Sequence, residues 1–340
     1  MPLLESSYTA PWLLSNGYVQ SILPTLVRRL DDRHLVRERI DTDDGDFLDL
    51  DWSRRGSSAL VIVSHGLEGH SRRPYVLGTL REANRHGLDA LAWNFRSCSG
   101  ESNRLPRMYH SGATDDLHRV VVHAVAQGYH RIHLVGYSMG GNLSLVYAGR
   151  EAGLLPAEVK SVVTFSVPCD LEGSAWQLAR PLNRVFMWKF LGDLKEKMAV
   201  KAERFPELVS IDGYDDIRNF KAFDDRYTAP LHGFTDAEDY WRRSSCLRYL
   251  DDIRIPALLV NARNDPFLSP SCYPLELARE HPYLSLEMPD SGGHVGFILR
   301  NRDRTYWMEQ RAMAFITALD GDDSPDQPCR QGTHQALLTD

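Results

Sequence analysis

The sequence predicts an α/β fold: a mostly parallel central sheet, helices on both faces, and a helical insertion late in the chain. Three observations point there. Short apolar runs rich in β-branched residues alternate with helix-length segments over about 36–320. A Gly-x-Ser-x-Gly stands at 136–140, where one such run gives way to a helix. The alternation stops once, between 170 and 246, where no strand can be read. Strand-helix alternation builds a parallel sheet because each crossover helix must pack back onto it.

Strands expected at 36–42 and 46–53 flank Asp44-Gly45, a hairpin signal. Residues 59–64 (ALVIVS) are a short apolar run, the mark of a strand covered on both faces. Next come a helix over 74–86, a strand over 88–94, a helix over 115–127 and a strand over 131–136. A helix over 138–151 and a strand over 159–167 follow. Beyond the interruption the pattern resumes with a strand at 255–261, a helix at 270–281, a strand at 284–288 and a helix at 303–319.

The interruption holds amphipathic, aromatic-rich pieces, such as 181–197 (PLNRVFMWKFLGDLKEK) and 236–249, which carries Tyr240 and Trp241. Ligands in α/β sheets bind at the C-terminal edge of the strands, so a helical insertion after a strand reads as a lid. The expected organisation is a core over 1–169 that includes an N-terminal extension, a lid over 170–246, and the rest of the core over 247–320. Residues 321–340 are polar with two prolines and read as a flexible tail. The apolar segment 12–27 reads as packing on the core or lid rather than on a membrane.

The chain has 340 residues, 43% of them hydrophobic, enough for one large core with an appended lid. A net charge of -7 and a pI of about 6.0 argue against nucleic acid or anionic lipid as the main partner. Met1 is followed by Pro-Leu-Leu-Glu, which is not a secretory signal, and no apolar stretch of about 18 residues suggests a membrane span. Cys98, Cys169, Cys246, Cys272 and Cys329 form no C-x-x-C pair, so they read as reduced thiols of a cytoplasmic protein.

Gly136-Tyr137-Ser138-Met139-Gly140 has the strand-to-helix context of a serine nucleophile on a tight turn. Small residues at 136 and 140 let strand and helix approach closely. A serine hydroxyl needs a base. His294 is the candidate, because glycines flank it in Ser291-Gly292-Gly293-His294-Val295-Gly296 between the last strand and the last helix. His118 and His123 lie on a helix, and His130 and His133 flank a strand. The imidazole needs a carboxylate to fix its tautomer. Asp265 ends a late strand and gives the chain order Ser, Asp, His; Asp170 is the rival, and Asp290 lies too close to His294 in sequence. An oxyanion needs two donors. The amide of Met139 is one, and the loop His65-Gly66-Leu67-Glu68-Gly69 offers the other through Leu67. No metal or phosphate motif stands out, so no cofactor is expected. Arg96, Tyr109 and His110 lie on loops from which they could line the pocket, but they read first as residues that lock loop geometry; Asp115 and Asp116 read as favourable charges at a helix start.

Several segments taken together resemble the YheT-like branch of the α/β-hydrolases, the type 4 AB-hydrolase family, over about residues 10–318. They include Gln20-Ser21-Ile22-Leu23-Pro24-Thr25, Asp44-Gly45-Asp46-Phe47, the 65–69 loop, Asn94-Phe95-Arg96, Ser99-Gly100-Glu101 and Tyr109-His110-Ser111-Gly112. The others are the 136–142 turn, Val167-Pro168-Cys169-Asp170, the 292–297 loop and Tyr306-Trp307. The resemblance implies the α/β-hydrolase fold and hydrolysis of carboxylic esters, commonly those with short or medium apolar acyl chains, or of lipid-like esters. It places a triad on Ser138, Asp265 and His294. Relatives also transfer acyl groups to alcohols, so an acyltransferase is one alternative; cleavage of a thioester or an amide is a second, and a catalytically silent ligand-binding protein a third. The family usually has His before Gln-Thr near the N-terminus, where this chain has Tyr18-Val19-Gln20-Ser21, and Gly after Asn-Phe-Arg, where it has Ser97.

Overall fold

The computed structural model describes residues 3–322. Its strands are β1 (Leu3–Leu4), β2 (Val36–Asp41), β3 (Phe47–Ser53), β4 (Ala59–Ser64), β5 (Asp89–Trp93), β6 (Arg131–Tyr137), β7 (Val159–Phe165), β8 (Ala257–Val260) and β9 (Leu284–Glu287). The helices before the insertion are α1 (Gly17–Val27), α2 (Pro74–Arg85), α3 (Thr114–Ala126) and α4 (Met139–Arg150). The insertion between β7 and β8 carries α5 (Leu171–Leu178), α6 (Arg184–Arg204), α7 (Phe220–Phe223), a π-helical turn (Asp224–Thr228), α8 (Ala229–His232) and α9 (Ala237–Ser244). The chain closes with α10 (Leu275–Glu280) and α11 (Trp307–Asp322).

All these strands form one sheet in the order β1-β9-β8-β7-β6-β4-β5-β3-β2. It is parallel from β1 to β5; at the far edge β3 runs antiparallel to both of its neighbours, β5 and β2. β4 is fully buried, and its side chains alternate between two cores. Leu60 and Ile62 pack on one face; Val61 and Val63 pack on the other. Water reaches neither face, which is why the run reads as continuously apolar. Each such side chain contributes roughly 1.5–3 kcal/mol by burial.

β4 lies between β5 and β6, so the chain reverses direction across the sheet there. A crevice opens at such a switch point, at the strands' carboxyl ends. In the β4–β6 register Ser64 sits opposite Gly136. The loop after β4 and the turn after β6 are therefore neighbours.

Several boundaries differ from the sequence reading, for local reasons. The helix expected over 270–281 splits into a 3-10 turn (Pro270–Cys272) and α10, because Pro274 has no N–H to continue it. The strand expected from 255 begins at Ala257, after Pro256. The last helix starts at Trp307 rather than 303; Arg304 sits in left-handed backbone with φ 53°. The proposed tail begins within α11, which runs to Asp322, and 323–340 lie outside the described residues, as does Cys329. The N-terminal β1 and α1 had no counterpart in the expected elements. Cys98, Cys169, Cys246 and Cys272 are buried and unpaired. Among the described residues no helix is long and apolar enough to cross a membrane.

Candidate active site

Ser138 joins β6 to α4 with φ 52° and ψ -120°. That conformation is strained for a non-glycine residue and persists only where packing enforces it. Here a side chain at Gly140 would meet the carbonyl oxygens of Ser64 and His65. The helix thus rests directly on the end of β4, and the hydroxyl of Ser138 is held out at the crevice.

His294 reaches it from a loop pinned at three consecutive amides. Gly293 N–H donates to Asn264 Oδ1 at 3.0 Å, His294 N–H to Ser21 Oγ at 2.8 Å, and Val295 N–H to Ser166 Oγ at 2.9 Å. Gly293 has φ 58°, and a Cβ there would press on the carbonyl of Gly17 in α1. His294 Nε2 lies 2.9 Å from Ser138 Oγ, and Nδ1 lies 2.9 Å from Asp265 Oδ2. A carboxylate can only accept, so Nδ1 carries the proton and Nε2 is free to accept from the serine. The ring of Phe267 stacks on the imidazole with centroids 4.1 Å apart.

Asp265 is buried and fixed from a second side, where Oδ1 accepts the N–H of Phe267 at 2.9 Å. The rival Asp170 is employed elsewhere. It caps α5 by accepting the N–H of Gly173 at 3.1 Å and takes the Ser271 hydroxyl at 2.5 Å. Asp290 is exposed beside Arg263. Of the three carboxylates, the fold brings only Asp265 to His294.

The loop after β4 is organised by His65. Its Nδ1 bonds the carbonyl of Gly66 at 2.8 Å, and its Nε2 accepts the N–H of Phe95 at 3.1 Å. Complete burial pushes its pKa down to about 3, so the ring is neutral and serves the turn. Gly66 packs on the serine; a Cβ there would lie 3.2 Å from that of Ser138. Leu67 and Met139 both line the pocket beside Ser138 and His294. Met139 opens α4, so its N–H has no carbonyl four residues back.

The pocket draws much of its wall from the insertion, including Leu171, Phe190, Leu194, Met198, Phe220 and Trp241. One acid stands in this apolar wall. Asp224, in the π-helical turn, accepts from the Thr228 hydroxyl at 2.6 Å and from Trp241 Nε1 at 2.8 Å. Burial pushes its carboxyl up to about 7 despite those bonds. Among the described residues no group of three or more metal-ligating side chains is assembled.

Arg96 behaves as expected. It is buried among Asp44, Asp46 and Asp116, at 2.9, 3.1 and 2.6 Å, and locks the loops below the site. Tyr109 and His110 do more than that, because both line the pocket. Ser97 has φ 63°, which explains why glycine is usual there; its hydroxyl offsets the strain by bonding Asn103 at 2.6 Å. Tyr18, the other departure, stacks on Phe186 at the start of α6. His118, His123 and His133 bond Tyr147, Glu38 and Ser161, away from the serine. The sequence reading missed Ser21 and Ser166. Ser21 stood inside a segment that carried the family resemblance; Ser166 had no signal, because its role depends on a loop 129 residues away.

Comparisons with known proteins bear on the family and the fold. A family model described as the alpha/beta hydrolase fold matches residues 59–300. The Escherichia coli (strain K12) protein YheT, named as an esterase, is 34% identical over 317 residues, covering 89% of this chain and 91% of its own. Phospholipase ABHD3 of Mus musculus is 31% identical over 330 residues, covering 93% of this chain and 79% of its own. An esterase of Pyrococcus furiosus superposes with a TM-score of 0.59 over 92% of this chain and 100% of its own, at 18% identity. That last likeness speaks for the fold alone.

Proposed function

The chain belongs to the α/β-hydrolase fold family and is a carboxylic ester hydrolase, and on that premise we propose that it cleaves short- to medium-chain acyl esters through an acyl-enzyme on Ser138. One observation carries the reading. The Ser138 hydroxyl lies 2.9 Å from an imidazole whose far nitrogen is held by a buried carboxylate, in the wall of an apolar pocket.

In this reading His294 Nε2 takes the serine proton as Oγ attacks the ester carbonyl. Asp265 holds the ring and stabilises its charged form. The amides of Met139 and Leu67 receive the oxyanion, a term typically worth about 3–4 kcal/mol per donor in the transition state. His294 then protonates the departing alcohol. A water, deprotonated by the same nitrogen, attacks the acyl group and frees the acid and Ser138. Residues 170–246 act as the lid, and their aromatic and aliphatic side chains hold the acyl chain. The apolar wall supports a neutral ester as substrate, and the buried unpaired cysteines support a cytoplasmic setting.

A series of p-nitrophenyl esters from acetyl to dodecanoyl, with Ser138→Ala as control, tests this. The expected result is turnover with an optimum below dodecanoyl, lost in the variant. Turnover by Ser138→Ala would remove the serine mechanism. Added ethanol separates hydrolysis from transfer, because an acyltransferase would yield ethyl ester in place of free acid.

A further inference from the structure

The oxyanion loop is held by the insertion as well as by the core. Glu68 follows Leu67 directly and sits in left-handed backbone with φ 51°, a conformation that needs outside support. Its backbone is tied at both ends: its N–H donates to the Tyr109 hydroxyl at 3.3 Å, and its carbonyl accepts from Arg73 at 2.9 Å. Its carboxylate accepts from the same Tyr109 hydroxyl and, at 2.9 Å, from Lys197 Nζ. Lys197 belongs to α6, the long helix of the insertion. Its ammonium also donates to Cys98 Sγ at 3.0 Å and lies 5.1 Å from the centre of the Tyr109 ring. Both partners of the ion pair are largely buried, with side-chain exposures of 17% and 6%. Removing one partner of such a pair leaves a buried charge without its counterion.

We propose that Lys197 is a positioning residue for acyl transfer: through Glu68 it fixes the loop that presents the Leu67 amide, so the insertion completes the oxyanion site as well as the acyl pocket. This rests on the serine mechanism above. Lys201, one turn further along α6, provides a control within the same helix. Its side chain is fully buried, and its ammonium grips Asn103 Oδ1 at 2.7 Å and the Asn103 carbonyl at 3.0 Å, away from the 65–69 loop.

The test compares kcat and KM for p-nitrophenyl butyrate among Lys197→Met, Glu68→Gln and Lys201→Met. Lys197→Met is expected to lose roughly tenfold to a hundredfold in kcat, less than the outright loss of an oxyanion donor, with KM within about twofold. Lys201→Met is expected to keep kcat. Adding Lys197→Met to Glu68→Gln should change little further, because the two act as one unit. Equal losses in Lys197→Met and Lys201→Met, or a change confined to KM, would overturn the proposal. If Lys197→Met does not fold, Glu68→Gln decides alone, and an unchanged kcat overturns it. Turnover by Ser138→Ala would instead show that the serine reading beneath it had failed, whatever Lys197 does.

Discussion

The backbone N–H of His294 donates to the hydroxyl of Ser21 at 2.8 Å, across 273 positions of sequence. That hydroxyl donates in turn to the carbonyl of Gly17 at 2.7 Å. The N-terminal helix thus fixes the loop that carries the imidazole. Ser21→Ala should lower kcat roughly three- to tenfold by loosening the ring's position, and stability by about 1 kcal/mol. Ser21→Thr, which keeps the acceptor, should recover most of the rate. A wild-type kcat in Ser21→Ala would detach α1 from the chemistry.

The carboxylate assignment separates cleanly by mutation. Asp265→Asn keeps the shape but offers Nδ1 an amide, and kcat should fall on the order of 10³–10⁴. Asp170→Asn should leave kcat within about twofold and stability nearly unchanged, because the amide oxygen still accepts the N–H of Gly173 at the start of α5. The reverse ranking of the two variants would reassign the acid.

Met198 is buried in the pocket wall on α6. Met198→Trp fills part of the space assigned to the acyl chain. The ratio of kcat/KM for decanoyl over acetyl esters should drop by about tenfold or more, on the scale of one or two lost methylene contacts. Taking the ratio on one sample removes any effect of a smaller folded fraction. An unchanged ratio would place the acyl chain elsewhere.

Asp224 gives the fold a pH signature. Burial raises its carboxyl from 3.8 to about 7 in the folded state. Between those values the folded protein holds the proton while the unfolded chain has released it. Stability from this group therefore falls as pH rises from about 4 to about 7, and is flat above that. Asp224→Asn carries no such proton. Its Tm relative to wild type should move in the variant's favour as pH is raised from about 5 to about 7, then hold steady. Tm curves that run parallel over that range would contradict a titrating Asp224.

Much of the site was legible in the sequence because its signals are local. Ser138 announces itself by the glycines that its turn requires, and His294 by the glycines that free its loop. Asp265 could be ranked above Asp170 but not separated from it, since both follow strands. The distinction is a matter of contact. Ser271 and the first turn of α5 occupy Asp170, whereas Asp265 faces Nδ1. For Tyr109 and His110 the sequence favours loop locks over pocket residues; they line the pocket, because the insertion folds back over them.

By itself the sequence determined the parallel sheet, since a run such as 59–64 is stable only when covered on both faces, and it determined the order of serine, acid and base along the chain. The tertiary structure decided which groups meet. Ser21, Ser166 and Lys197 are ordinary residues in their own segments. Their parts depend on single hydrogen bonds to His294, Val295 and Glu68, formed between positions more than a hundred residues apart. A hydrogen bond requires distance and direction, and neither is encoded in the identity of a serine or a lysine.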